Sequence, residues 1–222
     1  MLTAAIPGGA DDKMQSTINS VSLFPTGQFY VQYGASTAIA TSTVETSLLN
    51  NTSTTVSNFG TNFPNDTSTL TLVGSQNPLN SVGTLTLGTY FRGRVIASVN
   101  NTSTPTLRIR TVLKNSAGTI VYTLADSGAQ TMTAITSGPR TLEYTFESIV
   151  SSVGTTGTMV SWCQYTYDTN VTVRQSVGGT GVVASQTVDT TATYTLDILA
   201  TWGTSSSSNT ITTLLAHVGV VG

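Results

Sequence analysis

The sequence predicts an all-β protein of antiparallel strands, and three observations carry that expectation. The first is composition: 45 Thr and 26 Ser stand among 222 residues, while charged residues make up only 8%. Threonine is β-branched, stiff about χ1 and suited to a pleated, half-buried surface, and the Glu and Lys that favour helices are scarce. The second is patterning: from about residue 41, strand-like runs alternate with turn signals at roughly 10–15-residue spacing. The third is what the pattern lacks. Neither a βαβ alternation nor a fixed-period repeat is present, which disfavours a parallel sheet, a solenoid and a propeller. Eight to ten strands with such spacing fit an antiparallel sandwich or barrel.

Residues 1–40 differ from the rest, with Pro7, Gly8-Gly9, Asp11-Asp12 and two short strand candidates, NSVSLF (19–24) and QFYVQYG (28–34). This segment reads as a hairpin added to the main domain or an arm that orders on a neighbour. The main domain, 41–222, opens with the strand ATSTVETSLL (40–49) and a long polar loop (50–68). STLTLVG (68–74) follows, and VGTLTLGTYFRGRVIASVN (82–100) predicts two strands meeting near Gly88. In TLRIRTVLK (106–114), Leu107, Ile109, Thr111 and Leu113 share one face while Arg108, Arg110 and Lys114 share the other. Asn115–Gly118 is a hairpin turn into GTIVYTLAD (118–126).

The second half continues in the same manner. RTLEYTFESIV (140–150) turns Leu142, Tyr144 and Phe146 inward and Glu143 and Glu147 outward. GTMVSWCQYTYD (157–168) has large residues on both faces, and NVTVRQS (170–176) is followed by a flexible glycine-rich turn. TYTLDILATWG (193–203) places Tyr194, Leu196, Ile198, Ala200 and Trp202 on one face. NTITTLLAHVGVV (209–221) places Ile211, Thr213 and Leu215 on one side.

Charge and chemistry narrow the function classes. The net charge is −2 and the eight basic residues form no run, so nucleic-acid binding by phosphate neutralisation is not expected. The single cysteine, Cys163, cannot form an intrachain disulfide. The N-terminal residues lack a secretory pattern, and no apolar run approaches the ~18 residues of a membrane span. Glu143 and Glu147 lie four apart on one strand face, roughly 13 Å at ~3.3 Å per residue, too far to face each other across a glycosidic bond. His217 stands in an apolar strand with no nucleophile motif beside it. One His and one Cys do not suggest a zinc site, and no cofactor-binding motif occurs. The sequence therefore predicts no catalytic, cofactor-binding or metal-binding residues.

The segment TVDTTATYTLDILATWGTSSSSNTIT (187–212) resembles a motif of tailed-phage structural proteins: a Thr-rich strand, Trp-Gly, a Ser-rich turn, then Ser-Asn-Thr-Ile-Thr. TSTVETSLL (41–49), GTLTLGTYFRGRVIASV (83–99) and TPTLRIRTVLKNSAGTIVYTLADSGA (104–129) resemble the strands that precede it. The likeness spans about residues 41–215, and departs at residues 1–40 and near 175–187. It implies a jelly-roll β-sandwich of the virion, assembled in the host cytoplasm. The roles it implies are capsid decoration or cement protein or head fibre, with a tail- or baseplate-associated or receptor-binding fibre-tip role as the alternative. The implied partners are the major capsid protein or other virion proteins and further copies of the chain, a homotrimer being favoured, with residues 1–40 as the anchor.

Two residue sets would bear on those contacts. Arg92, Arg94, Arg108 and Arg110 occupy alternate positions on two strands. If those strands pair, the four form one basic patch, whose mutual repulsion an adjacent subunit's acids would relieve. Trp162, Tyr165, Tyr167 and Trp202 are the aromatics a carbohydrate-binding tip would expose, although their alternation marks them first as core.

Overall fold

The computed structural model describes residues 27–33, 38–40, 43–49, 70–73, 85, 87–115, 117–170, 173–177 and 184–221. In chain order the strands are β1 (Gly27–Tyr33), β2 (Ile39–Ala40), β3 (Thr46–Ser47), β4 (Leu70–Val73), β5 (Tyr90–Asn100), β6 (Thr106–Lys114) and β7 (Ile120–Asp126). They continue as β8 (Gln130–Thr131), β9 (Arg140–Ser152), β10 (Gly157–Asp168), β11 (Arg174–Val177), β12 (Ala184–Val188), β13 (Thr193–Trp202) and β14 (Thr210–Val221). Every described regular element is thus a strand, and none of the described residues forms a helix long and apolar enough to cross a membrane.

The strands form two antiparallel sheets. The first runs β1-β14-β5-β9-β10-β11, with β2 also on β14 and β12 also on β10. The second runs β3-β13-β6-β7, with β4 on β13 and β8 on β6. Among β2, β3, β5, β6, β7, β9, β13 and β14, counted as first to eighth, the sheets read first-eighth-third-sixth and second-seventh-fourth-fifth. That interleaving is the jelly-roll order, two Greek keys wrapped into a sandwich. β10, β11 and β12 widen the first sheet beyond it.

One hydrophobic cluster fills the space between the sheets, drawn from alternate residues of both. Trp202, Tyr144, Tyr165, Tyr167, Phe91 and Phe146 are its largest fully buried side chains. Each removes enough apolar surface from water to contribute about 1.5–3 kcal/mol. Their phenols find partners across the sandwich: Tyr144 Oη lies 2.7 Å from Thr111 Oγ1, and Tyr165 Oη donates to the Leu107 carbonyl at 3.2 Å. Gly93 permits a close contact in the core, since a Cβ there would overlap the Phe146 ring.

Several elements follow their predicted bounds, and others differ for identifiable reasons. β6 and β10 match, Asn115 accepts the Gly118 N–H in the hairpin turn, and Gly118 takes a φ of 77° that favours glycine. ATSTVETSLL is not one strand. Its start pairs with β14 in the first sheet and its end with β13 in the second, so the chain changes sheet and pairing must break between them. Of the two strands expected within 82–100, β5 is described; Leu87 and Gly88 form the turn before it, and most of 82–86 lies outside the described residues. In β14 the register shifts between Thr213 and Leu215, leaving Leu214 as the extra residue of a β-bulge. The inward face passes there from Ile211 and Thr213 to Ala216 and Val218, so Leu215 does not continue it.

The N-terminal expectations divide. QFYVQYG becomes β1, paired with β14 of its own chain and flanking the main domain. NSVSLF and the loop 50–68 lie outside the described residues.

Candidate functional site

The four arginines singled out by the sequence are not one patch. Arg92 and Arg94 lie on β5 in the first sheet, Arg108 and Arg110 on β6 in the second, so the two pairs lie on opposite outer faces of the sandwich. The chain crosses from one sheet to the other between β5 and β6, and no local pattern reveals this. The acids expected from a neighbouring subunit are also supplied within the chain.

On the first sheet, Arg92 sits in register with Glu147, Nε to Oε1 at 3.7 Å, and Arg94 Nε lies 2.7 Å from Glu143 Oε1. Glu143 also receives Arg174 Nη2 at 3.0 Å, and Arg174 Nε stands 3.8 Å from Asp168. A ladder of alternating charge therefore crosses β5, β9, β10 and β11. Glu143 and Glu147 face outward as their alternation predicts, each engaged by arginine. His217 on β14 lies in register with Arg94; burial, then the Arg94 and Arg92 charges, depress its pKa and favour the neutral imidazole.

On the second sheet, Arg108 Nε donates to Asp126 Oδ1 at 2.9 Å, and Arg110 pairs with Glu45. Burial alone would raise the Asp126 pKa, but hydrogen bonds from Arg108 and the Gly128 N–H outweigh it and hold the pKa low. Nearby, Asp197 is almost fully buried on the outer side of β13. Its Oδ2 receives Lys114 Nζ at 2.5 Å, and its Oδ1 accepts from the Ser47 hydroxyl and the Ile198 N–H. Burial still raises its pKa despite Lys114 and Ser47. An open cleft of about 580 Å³ lies over this group.

Tyr165, Tyr167 and Trp202 are core, and among the four aromatic candidates only Trp162 lies on an outer face, half-buried opposite Glu147. Cys163 is buried, and burial pushes its thiol up to about 11. Among the described residues no group of three or more His, Cys, Asp or Glu is placed to hold a metal ion.

The sequence reading missed a second cleft, at the other end of the first-sheet ladder. It is open, about 530 Å³ in volume, and is lined by Ser98, Arg140, Thr141, Asp168, Asn170 and Leu214 among others. β5, β9, β14 and the β10–β11 turn bring these residues together, and the β14 bulge turns Leu214 outward into it. Arg140 gave no sequence signal because it opens a strand after Gly138-Pro139 and has no cationic neighbour.

No family model matches the chain, and no curated protein matches it. Among solved structures, it is similar to a GH43 glycoside hydrolase engineered to display both endo-xylanase and exo-arabinofuranosidase activity. The TM-score is 0.32 at 10% identity, over 60% of this chain and 29% of that one, so this chain spans less than a third of that protein's length. The likeness is too slight to bear on fold or activity.

Proposed function

We propose that this chain is a structural protein of a tailed-phage virion, a capsid decoration, cement or head-fibre protein that binds other virion proteins and stabilises the particle. The observation that supports this most is the jelly-roll strand order joined to outer faces whose charges are neutralised inside the chain. Such faces present hydroxyls and few unpaired charges, which suits association by area and shape. Interfaces in permanent assemblies typically bury about 2,000 Å² or more. Because β1 and β2 pair within their own sheet, the anchoring role of residues 1–40 narrows to the residues that precede β1.

Two measurements test the proposal together. Sedimentation equilibrium of the purified protein is expected to give three times the 23.1 kDa chain mass. Antibodies raised against the chain are expected to decorate purified phage particles at regular positions on the head. A monomer at micromolar concentration that is also absent from purified particles would overturn it.

A further inference from the structure

The ion pairs of the described residues leave one arginine over. Arg92, Arg94, Arg108, Arg110 and Arg174 each meet a carboxylate of the same chain, and Arg140 does not. Its Nε is buried with no hydrogen-bond acceptor, as are those of Arg94 and Arg110, but those two guanidinium groups also meet a carboxylate and that of Arg140 meets none. A guanidinium nitrogen removed from water without an acceptor is costly, and native structures seldom leave one so without a reason. Arg140 lines the 530 Å³ cleft, whose size falls within the range of small-ligand sites, about 300–1,000 Å³.

We propose that this cleft binds a saccharide that carries a carboxylate, an acidic sugar of a surface glycan. The planar guanidinium fork of Arg140 matches a carboxylate in shape and charge. Only one cation of the cleft lacks an internal partner, because Arg174 is held by Glu143 and Asp168, so the site suits a single negative charge. Asp168 lines the same cleft and would repel a densely sulfated or phosphorylated chain. Ser98, Thr141 and Asn170 offer hydroxyl and amide groups to sugar hydroxyls, with Asp168 as a further acceptor. Leu214 and Val173, 41% and 44% exposed, supply apolar surface for the C–H face of a ring. An acidic peptide is the weaker fit, since no deep apolar pocket is there to seat a side-chain anchor. This inference rests on the cleft alone and not on the assembly reading, so its failure would leave the mass measurement untouched.

The test is an amide chemical-shift titration of the whole protein with three methyl glycosides: N-acetylneuraminic acid, glucuronic acid and neutral galactose. At least one acidic glycoside is expected to give saturable shifts at Thr141, Asn170 and Leu214, with a Kd of about 1 mM, ordinary for a monosaccharide of this contact area. Galactose and the Arg140→Gln variant are expected to bind at least about tenfold more weakly. A thermal melt checks that Arg140→Gln is folded; if it is not, Ser98→Ala serves as the second variant, with a few-fold loss expected. No saturable shift with either acid, equal affinity for galactose, or unchanged affinity in the folded variants would overturn the proposal. So would binding of a glutamate-rich peptide at these amides where the sugars fail, which would assign the cleft to a protein partner.

Discussion

Replacing Lys114 by methionine would test the electrostatics of the second sheet most directly. Methionine keeps much of the aliphatic stem, so the change chiefly removes the ammonium that Asp197 Oδ2 accepts at 2.5 Å. The Asp197 side chain is 2% exposed, so water entering from the open cleft replaces the lost partner only in part. Breaking a buried pair from one side costs about 3–5 kcal/mol. The lower end, about 3 kcal/mol, applies here because Ser47 and the Ile198 N–H still hold Oδ1. For a chain of this size each kcal/mol moves Tm by about 2–4 °C, so Lys114→Met should melt roughly 10 °C lower at pH 7. The pH dependence fixes the cause. Burial raises the Asp197 pKa above the ordinary 3.8, so between those two values the folded state binds more protons than the unfolded state. Stability therefore falls as pH rises through that window, and losing Lys114 raises the folded pKa further. The deficit of Lys114→Met should accordingly begin to shrink well above pH 3.8 as the carboxyl protonates, and Asp197→Asn in the same background should recover most of it. Urea denaturation from pH 7 to pH 4 measures this. A deficit below about 1 kcal/mol, the size of an exposed pair, or one that widens toward acid, would refute the reasoning.

Asp126 should behave differently in the same series. Its pKa is held below 3.8, so its contribution is present above that value and is lost as pH falls through the depressed one. Both partners are partly exposed, so Asp126→Asn should cost about 1 kcal/mol or less, with a gap that stays flat until pH drops below about 3.8; a gap closing by pH 5 would contradict the assignment. Gly93→Ala should destabilise by about 1–3 kcal/mol, because the added methyl meets the Phe146 ring, and Phe146→Leu should restore part of the loss; denaturant midpoints of the single and double variants decide. The Cys163 thiol, buried and pushed up to about 11, should resist a thiol-disulfide reagent at neutral pH and react fully in guanidinium chloride; complete labelling of the folded protein within minutes would contradict its burial.

What the sequence revealed and what it hid follow from the range of the interactions involved. Alternation is local, so β6 and β10 have their predicted ends, and Tyr194, Leu196, Ile198, Ala200 and Trp202 face the core as expected. Sheet membership is not local. Arg94 and Arg108 are fourteen positions apart, yet β5 and β6 lie in different sheets, because the chain crosses the sandwich between them. The bulge at Leu214 was equally invisible, since an inserted residue changes which face is apolar without interrupting an apolar run. Asp197 reads as an ordinary outward residue of an alternating strand, and only tertiary packing makes it a buried acid that requires Lys114 and Ser47. The Arg140 cleft joins four separate chain segments, and its defining property, a cation without a carboxylate, exists only once all the other pairs are known.

The register of the first sheet also sets these features relative to one another. Gly27 pairs with Val220, Val220 with Phe91, and Phe91 with Ser148, so the chain enters the described fold at the Ser148 end of β9. Leu87, Ile149 and Val153, 68%, 40% and 55% exposed, lie at that same end, where Tyr90 pairs with Ile149. Arg140 begins β9 at the other end, eight residues from Ser148, about 26 Å away at ~3.3 Å per residue. On the proposed reading, the start of β1 and the exposed apolar side chains mark the end directed toward the particle, and the acidic-sugar cleft marks the end directed away from it. Neither arrangement draws on the internally paired arginines. Recruiting those into an interface would require breaking or desolvating pairs already made, whereas burying Leu87, Ile149 and Val153 carries no such penalty.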